Sequence, residues 1–305
     1  MSDLEKSKKL WADEADELQR YGKGFHWVEA PVVAEYMNVK ISGDPNLNWV
    51  QYSIDRYVRA SRSPRILSLG CGGGALERHL LRLKPDALMV AMDFSPGAVD
   101  LARQRSKKAR LKIDYRVADL NEIDLEPESF DFVFASGALH HLVRLEHILT
   151  QVRISLTPGG RLIANEYIGP NHLQWTSRQV QAINEILALL PDRYKRRISN
   201  PNEYKREFLG PSCIEEMNRA DPTEAVRSEE ILPLTREMFR IVEFKPFGGT
   251  LLHMLLQDIA GNFDPASESD TCVMRLICHI EWQLIEAGVL SSDFGFFVAE
   301  PGSAE

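Results

Sequence analysis

Between Arg65 and Gly169, short apolar runs alternate with longer segments whose apolar positions recur at helical spacing. The runs Arg65–Leu69, Leu88–Met92, Ile113–Val117, Phe130–Ala135 and Gly160–Glu166 mostly lack polar alternation, the pattern of strands covered on both faces of a parallel sheet. Helices are predicted between them near Ala75–Leu83, Gly97–Ala109 and Leu145–Leu156, so the stretch reads as successive βαβ units. The pattern changes after Pro170. Apolar residues at 180, 183, 187 and 190 predict an amphipathic helix over Ser177–Leu190, capped by Thr176 or Ser177 and stopped by Pro191. A polar, proline-punctuated stretch follows to about Glu230. Strand patterning returns at Phe239–Phe244 and Phe294–Ala299, with helical runs Thr250–Gly261 and Asp270–Ala287 between, suiting an open sheet whose last strands form a hairpin-like reversed edge. Ahead of the sheet, Leu4, Trp11, Ala15 and Leu18 make a narrow apolar seam on a charged helix, a surface for its own domain, for a lid or for a second subunit.

The sharpest local feature is Ile66-Leu67-Ser68-Leu69-Gly70-Cys71-Gly72-Gly73-Gly74-Ala75, a strand running into a glycine-rich turn and then a helix. Gly70 and Gly72 permit a tight turn and let a ligand reach bare backbone, and Ala75 permits close helix–strand packing. Nicotinamide and flavin folds share that turn, so its context decides. Ala91-Met92-Asp93-Phe94-Ser95 puts a carboxylate 21 residues after Gly72, where a ribose diol needs an acceptor. Val117-Ala118-Asp119-Leu120 is a second acidic strand end, suited to an exocyclic adenine amine. The fourth strand closes on Ser136-Gly137-Ala138-Leu139-His140-His141-Leu142, and the fifth opens from Leu156-Thr157-Pro158-Gly159-Gly160, a turn that nicotinamide dehydrogenases rarely carry together with a second acidic strand end.

In this order the segments resemble class I S-adenosylmethionine-dependent methyltransferases, over roughly residues 64–168 and 238–300. The resemblance implies an α/β fold, a doubly wound, mostly parallel seven-stranded sheet of Rossmann-like type with helical N-terminal and inserted cover segments. The expected division is 1–63 as an N-terminal cover, 64–169 as the cofactor-binding half, 170–237 as an inserted substrate cover and 238–305 as the C-terminal half of the core. S-adenosyl-L-methionine is the implied cofactor. Gly70, Cys71 and Gly72 would lie against its methionine part, and Asp93 would accept from both ribose hydroxyls. Phe94 would pack on the adenine, Asp119 would accept from the adenine amine beside the Leu120 backbone, and Ser136 would lie near the methionine amine. The family usually has an acidic residue where this chain has Ser68, which leaves the amine to carbonyls or to another carboxylate.

Methyl transfer from a sulfonium is an in-line displacement in which alignment does much of the work, so a dedicated base is optional. Acceptors in this architecture sit outside the carboxyl ends of the strands. The fourth strand delivers His140 and His141 there; neighbours on a helical turn diverge by about 100°, so one of the two is expected to reach the pocket. His140, the position that carries a pocket-facing group in related enzymes, is the expected base or orienter. Glu166, a carboxylate at the end of a buried strand, needs a partner and is the second catalytic candidate. Tyr167, His172, Tyr21 and Trp27 are the expected substrate contacts. The run Glu166-Tyr167-Ile168-Gly169-Pro170, with Gln174-Trp175, Ile41-Ser42-Gly43-Asp44-Pro45 and Gly248-Gly249-Thr250-Leu251-Leu252-His253, looks like one subgroup of bacterial methyltransferases.

Composition narrows the partners. The 305 residues are 44% hydrophobic and 26% charged, a globular balance, and no apolar run is long enough to span a membrane. The start of the chain lacks a signal-peptide core, and four cysteines without metal-ligand spacing point to no metal and to a reducing cytoplasmic setting. A net charge of −8 argues against nucleic acid; the basic stretches Arg103–Lys112 and Arg193–Arg206 read first as solvated faces, the second also as a phosphate or carboxylate site. The expected function is methylation of a small metabolite or glycan-type acceptor, at oxygen before nitrogen, without membrane association, with a homo-oligomer through the N-terminal helix as a further expectation. The rivals are methylation at carbon and a cofactor-binding scaffold that transfers nothing.

Overall fold

The structure, a computed structural model, describes residues 23–302. The Leu4–Leu18 seam, Tyr21 and any contact through the N-terminal helix lie outside the described residues. Seven strands form one sheet: β1 (Arg65–Leu69), β2 (Leu88–Asp93), β3 (Asp114–Val117), β4 (Phe130–Ser136), β5 (Leu156–Tyr167), β6 (Phe239–Gly248) and β7 (Phe294–Pro301), in the order β3-β2-β1-β4-β5-β7-β6. The first five are parallel in register. β7 runs antiparallel to both β5 and β6. The expected hairpin-like edge is therefore corrected: β7 alone is reversed, it sits between β5 and β6, and β6 is the outer strand.

The near-continuous apolar strands follow from cover on both faces. Along β4, Phe132 and Phe134 enter a core with Ile54, Val58, Leu80 and Leu81, while Val133 and Ala135 enter the opposite core with Leu145, Ile148, Leu149 and Val152. The helices responsible are α1 (Pro31–Ser42), α2 (Trp49–Ser53, continued by a wider turn to Val58), α3 (Ala75–Leu83), α4 (Pro96–Lys108) and α5 (Leu145–Ser155).

The segment between β5 and β6 carries α6 (Ser177–Leu189), α7 (Asp192–Lys195), α8 (Ile214–Ala220) and α9 (Ile231–Met238), and α10 (Leu252–Leu256) and α11 (Glu268–Glu286) lie between β6 and β7. Thr176 caps α6 through a reciprocal box with Gln179. A third core joins Trp27 and Val33, Ile183 and Leu187 of α6, Leu255 of α10 and Ile277 of α11. The predicted helix over Thr250–Gly261 is shorter: left-handed backbone at Gly249 and at Asp258 confines it to α10, with a single turn at Ala260–Asn262 beyond.

That shortening has a cause in α11. The carboxylate of Glu281, fully buried, accepts from the amides of Gly249 (3.0 Å), Leu251 (2.8 Å) and Leu252 (2.9 Å). Tyr36 of α1 also donates to it, at 3.3 Å. The backbone wraps the anion at the start of α10, and side chains at Gly248 or Gly249 would strike Glu281 or Phe294. The Gly248–Leu252 motif is thus a nest for an internal carboxylate.

The basic stretch Arg193–Arg206 is also internally engaged. Arg193 pairs with Asp270, Arg197 with Asp258 and Arg206 with Asp192. Buried Lys205 donates to the carbonyls of Met254 and Gln257, and burial pushes its pKa down to about 7. All four cysteines are free thiols, and no helix among the described residues is long and apolar enough to cross a membrane.

Candidate active site

At the carboxyl ends of β1, β2 and β4 the chain makes a groove. Gly70 and Gly72, then Asp93 and Phe94, then Asp119, Leu120 and Asn121 line one side. Gly137, Ala138, His141 and Leu142 line the other, with Thr223 from the segment between β5 and β6. A Cβ on Gly70, at φ +66°, would come within 2.5 Å of the Ala138 Cβ, so the two turns touch there. A Cβ on Gly72 would meet nothing within 4 Å; its backbone is bare towards open space.

Asp93 is buried and accepts from Gly72 N (2.8 Å) and Ser95 N (2.9 Å). Burial pushes its pKa above the ordinary carboxylate value against the pull of those amides. Asp119 accepts from the Asn121 amide at 2.9 Å. These donors and acceptors, a bare glycine face and an apolar wall from Phe94 and Leu120 fit an adenosyl-sulfonium cofactor. Cys71, expected to meet the cofactor through its backbone, is buried with its amide on Met92 O, and Ser136 pairs in register with Asn165; their neighbours Gly70, Gly72 and Gly137 line the groove. Burial also pushes the Cys71 thiol up, so it is not a nucleophile.

Ser68 resolves in an unexpected way. Its hydroxyl donates to Glu77 Oε1 at 2.6 Å, and both residues are buried. A carboxylate absent from β1 thus arrives from the first turn of α3. The signal was present: Glu77 lies three and four residues before Leu80 and Leu81, on the inward stripe of an amphipathic helix. Glu77 Oε2 has no hydrogen-bond partner, and burial pushes the pKa up to about 7. The folded state therefore holds this proton more tightly than the unfolded chain. Its contribution to stability is complete below about pH 4.5 and is lost as the pH rises through 7, at up to about 1.4 kcal/mol per pH unit. Glu77→Gln, neutral throughout, should flatten that slope in denaturant titrations at pH 5 and pH 8; an unchanged slope would assign it to another group.

The turn after β4 is held by Glu166, 1% exposed at the end of β5. Its Oε1 accepts from Ala138 N (2.9 Å) and Leu139 N (3.0 Å), capping the single turn Leu139–His141, and its Oε2 lies 2.9 Å from His140 Nδ1. Glu166 is thus engaged inside the protein, where it orients His140. Burial works against charge on His140, but the Glu166 hydrogen bond and the Glu166, Glu224 and Asp221 charges outweigh it and raise the pKa. Burial drives His141 well below the ordinary value, reinforced by His140.

Both rings turn the same way, 4.1 Å apart between centroids. His140 Nε2 is 3.8 Å from Glu224 Oε1, and His141 Nε2 is 4.0 Å from Glu224 Oε2. One histidine lines the groove, as expected, but it is His141 and not His140, which lies behind it. Glu224 was missed, since it sits in the polar stretch 191–230, which has no periodicity to point inward. The segment docks by Val226 N donating to His140 O (3.0 Å) and by Thr223 O meeting His141 Nδ1 (3.2 Å).

The remaining substrate candidates do not converge on the groove. Tyr167 is buried, its hydroxyl on Pro170 O, with its ring edge-on to His140 at 6.1 Å. His172 holds a left-handed φ of 52° and donates its amide to Ala225 O. Trp27 is 4% exposed and packs on Phe294 and His253 in the third core, because an indole in the short turn Trp27–Glu29 ahead of α1 finds ring partners there.

Residues 67–164 match the methyltransferase domain family. The chain is 34% identical over 111 residues to a ubiquinone biosynthesis O-methyltransferase of Methylocella silvestris, covering 36% of this chain and 43% of that protein. It is 27% identical over 220 residues to a trans-aconitate 2-methyltransferase of Mycobacterium ulcerans, covering 67% of this chain and 80% of that protein. It is 30% identical over 140 residues to a sterol 24-C-methyltransferase of Clavispora lusitaniae, covering 44% and 37%. The match to the first of these thus spans less than half of that relative's length. Together with the sheet order and the groove, these similarities identify the domain that this chain carries as a class I S-adenosylmethionine-dependent methyltransferase domain.

Proposed function

We propose that the protein transfers a methyl group from S-adenosylmethionine to an oxygen of a small-molecule or glycan-type acceptor. One observation carries this reading: the turn Gly137–Leu142 belongs both to the cofactor groove and to the polar cluster of His140, His141 and Glu224. Bound S-adenosylmethionine supplies an electrophilic methyl group. Gly70 and Gly72 offer backbone to its methionine end, Asp93 accepts from its ribose, and Asp119 and Leu120 meet its adenine. The acceptor then enters from the side of Thr223 and Glu224, where the imidazoles orient its hydroxyl; as the oxygen takes the methyl group and leaves the neutral thioether of S-adenosylhomocysteine, the hydroxyl proton passes to the imidazole that faces it. Glu166 is a positioning residue that acts through His140, and the segment 170–237 is the cover that shapes the acceptor side. A hydroxyl suits these acceptor atoms, and the relatives named as O-methyltransferases support oxygen over nitrogen. The free cysteines suit a reducing compartment.

The test is release of S-adenosylhomocysteine from S-adenosylmethionine with a panel of phenols, hydroxylated glycans, carboxylates and amines. Turnover with a hydroxylated acceptor is expected; turnover with amines alone would overturn the oxygen assignment. With that acceptor, His140→Ala should lower kcat by about a hundredfold and leave S-adenosylhomocysteine affinity within about twofold, since it removes orientation and not cofactor contact. An unchanged kcat would remove His140 from the reaction.

A further inference from the structure

Two imidazoles and a carboxylate meet at the edge of the groove, and methyl transfer alone does not require all three. The Nδ1 of each histidine faces its own acceptor, Glu166 Oε2 at 2.9 Å for His140 and Thr223 O at 3.2 Å for His141. A neutral imidazole that donates at Nδ1 presents a lone pair at Nε2, and His140 would release a proton on taking a cation. Both Nε2 atoms point at Glu224, at 3.8 and 4.0 Å, too far for direct hydrogen bonds. One ligand atom from each residue lies within 4.8 Å of the others. Side-chain rotation that draws the three ligand atoms together would set them at about 2.0–2.2 Å from a common centre.

We propose that His140, His141 and Glu224 form a binding site for a divalent transition-metal cation of the zinc type at the acceptor end of the groove. Two imidazoles with one carboxylate suit zinc or iron over magnesium or calcium, which prefer oxygen throughout. Glu166 on His140 Nδ1 and the Thr223 carbonyl on His141 Nδ1 are the outer partners that fix tautomer and ring orientation in such sites. Three protein ligands leave positions open, as in catalytic and not structural sites, and His141 turns them to the groove. The expectation of no metal rested on local ligand spacing; here the third ligand comes from a distant segment. The assignment of an acceptor hydroxyl to the open position rests on the methyl-transfer reading; cation binding itself does not.

The experiment uses tag-free protein stripped by a chelator, titrated with Zn2+ by calorimetry and with Co2+ by visible absorption, and with S-adenosylhomocysteine on the same preparation. One Zn2+ per chain at micromolar affinity or tighter is expected, with Co2+ ligand-field bands of a site with nitrogen and oxygen ligands. Glu224→Gln, a partly exposed and isosteric change, should weaken Zn2+ at least tenfold without moving the melting temperature, and His141→Ala should weaken it further. Absence of saturable Zn2+ binding in the wild-type protein, or equal binding in Glu224→Gln, overturns the proposal. If His141→Ala does not fold, the wild-type Co2+ spectrum decides: no ligand-field bands overturns the site. S-adenosylhomocysteine binding without Zn2+ binding rejects the metal alone, and the reverse result rejects the methyltransferase reading.

Discussion

Asp93→Ala is expected to lower the affinity for S-adenosylhomocysteine by at least about a hundredfold. Hydrogen bonds to a charged acceptor contribute about 1.5–3 kcal/mol each, so loss of two to a ribose diol corresponds to roughly 10² to 10⁴ in affinity. The substitution also releases Gly72 N, which Asp93 holds at 2.8 Å, and so loosens the glycine turn against which the methionine end would lie. Asp93→Asn keeps the shape and one acceptor, and should lose about tenfold. Calorimetry on both variants separates charge from shape. Affinity unchanged in Asp93→Ala would remove the ribose role and, with it, the placement of the cofactor in this groove.

Glu281→Ala is expected to cost about 3–5 kcal/mol of stability and to lower the melting temperature by roughly 6–15 °C. Three backbone amides, of Gly249, Leu251 and Leu252, would be left buried without their acceptor, each costing about 1–3 kcal/mol, partly relieved by water entering the space. Glu281→Gln retains one acceptor oxygen and should cost about half as much. The comparison matters because the sequence offers Gly248–His253 only as part of a resemblance to one subgroup of bacterial methyltransferases, with no role attached. A stability loss with S-adenosylhomocysteine affinity retained in the folded fraction would make it structural. If stability is untouched, the wrapped carboxylate is not what holds the start of α10.

The sheet was legible because its central strands are apolar on both faces, and the cofactor groove because its parts sit at strand ends marked by glycine or aspartate. Gly70, Gly72, Asp93, Phe94, Asp119 and Leu120 are all local signals, readable within a few residues, and all line the groove. Where a side chain acts through a partner from another segment, local reading fails. Glu77 answers Ser68, Glu224 answers the histidine pair, and Glu281 answers a glycine turn in a different element. Trp27 shows the opposite error: an aromatic residue read as a pocket wall is a core residue, because nothing local distinguishes an indole that meets a ligand from one that meets Phe294. The reversed strand was likewise invisible as to place, since periodicity gives a strand's faces but not its neighbours.

The position of β7 sets an order of assembly. It is the last described strand in sequence, yet it fills the gap between β5 and β6, and β6 pairs with no other strand among the described residues. While residues 294–301 are unavailable, β5 keeps an open edge and β6 has no sheet to join. During synthesis at about 5–20 residues per second, the parallel half through β5 can form early and wait, with an adhesive edge exposed for many seconds. That interval is when a nascent chain is most exposed to wrong pairing, and interruption of the chain just before Phe294 would make the exposure permanent.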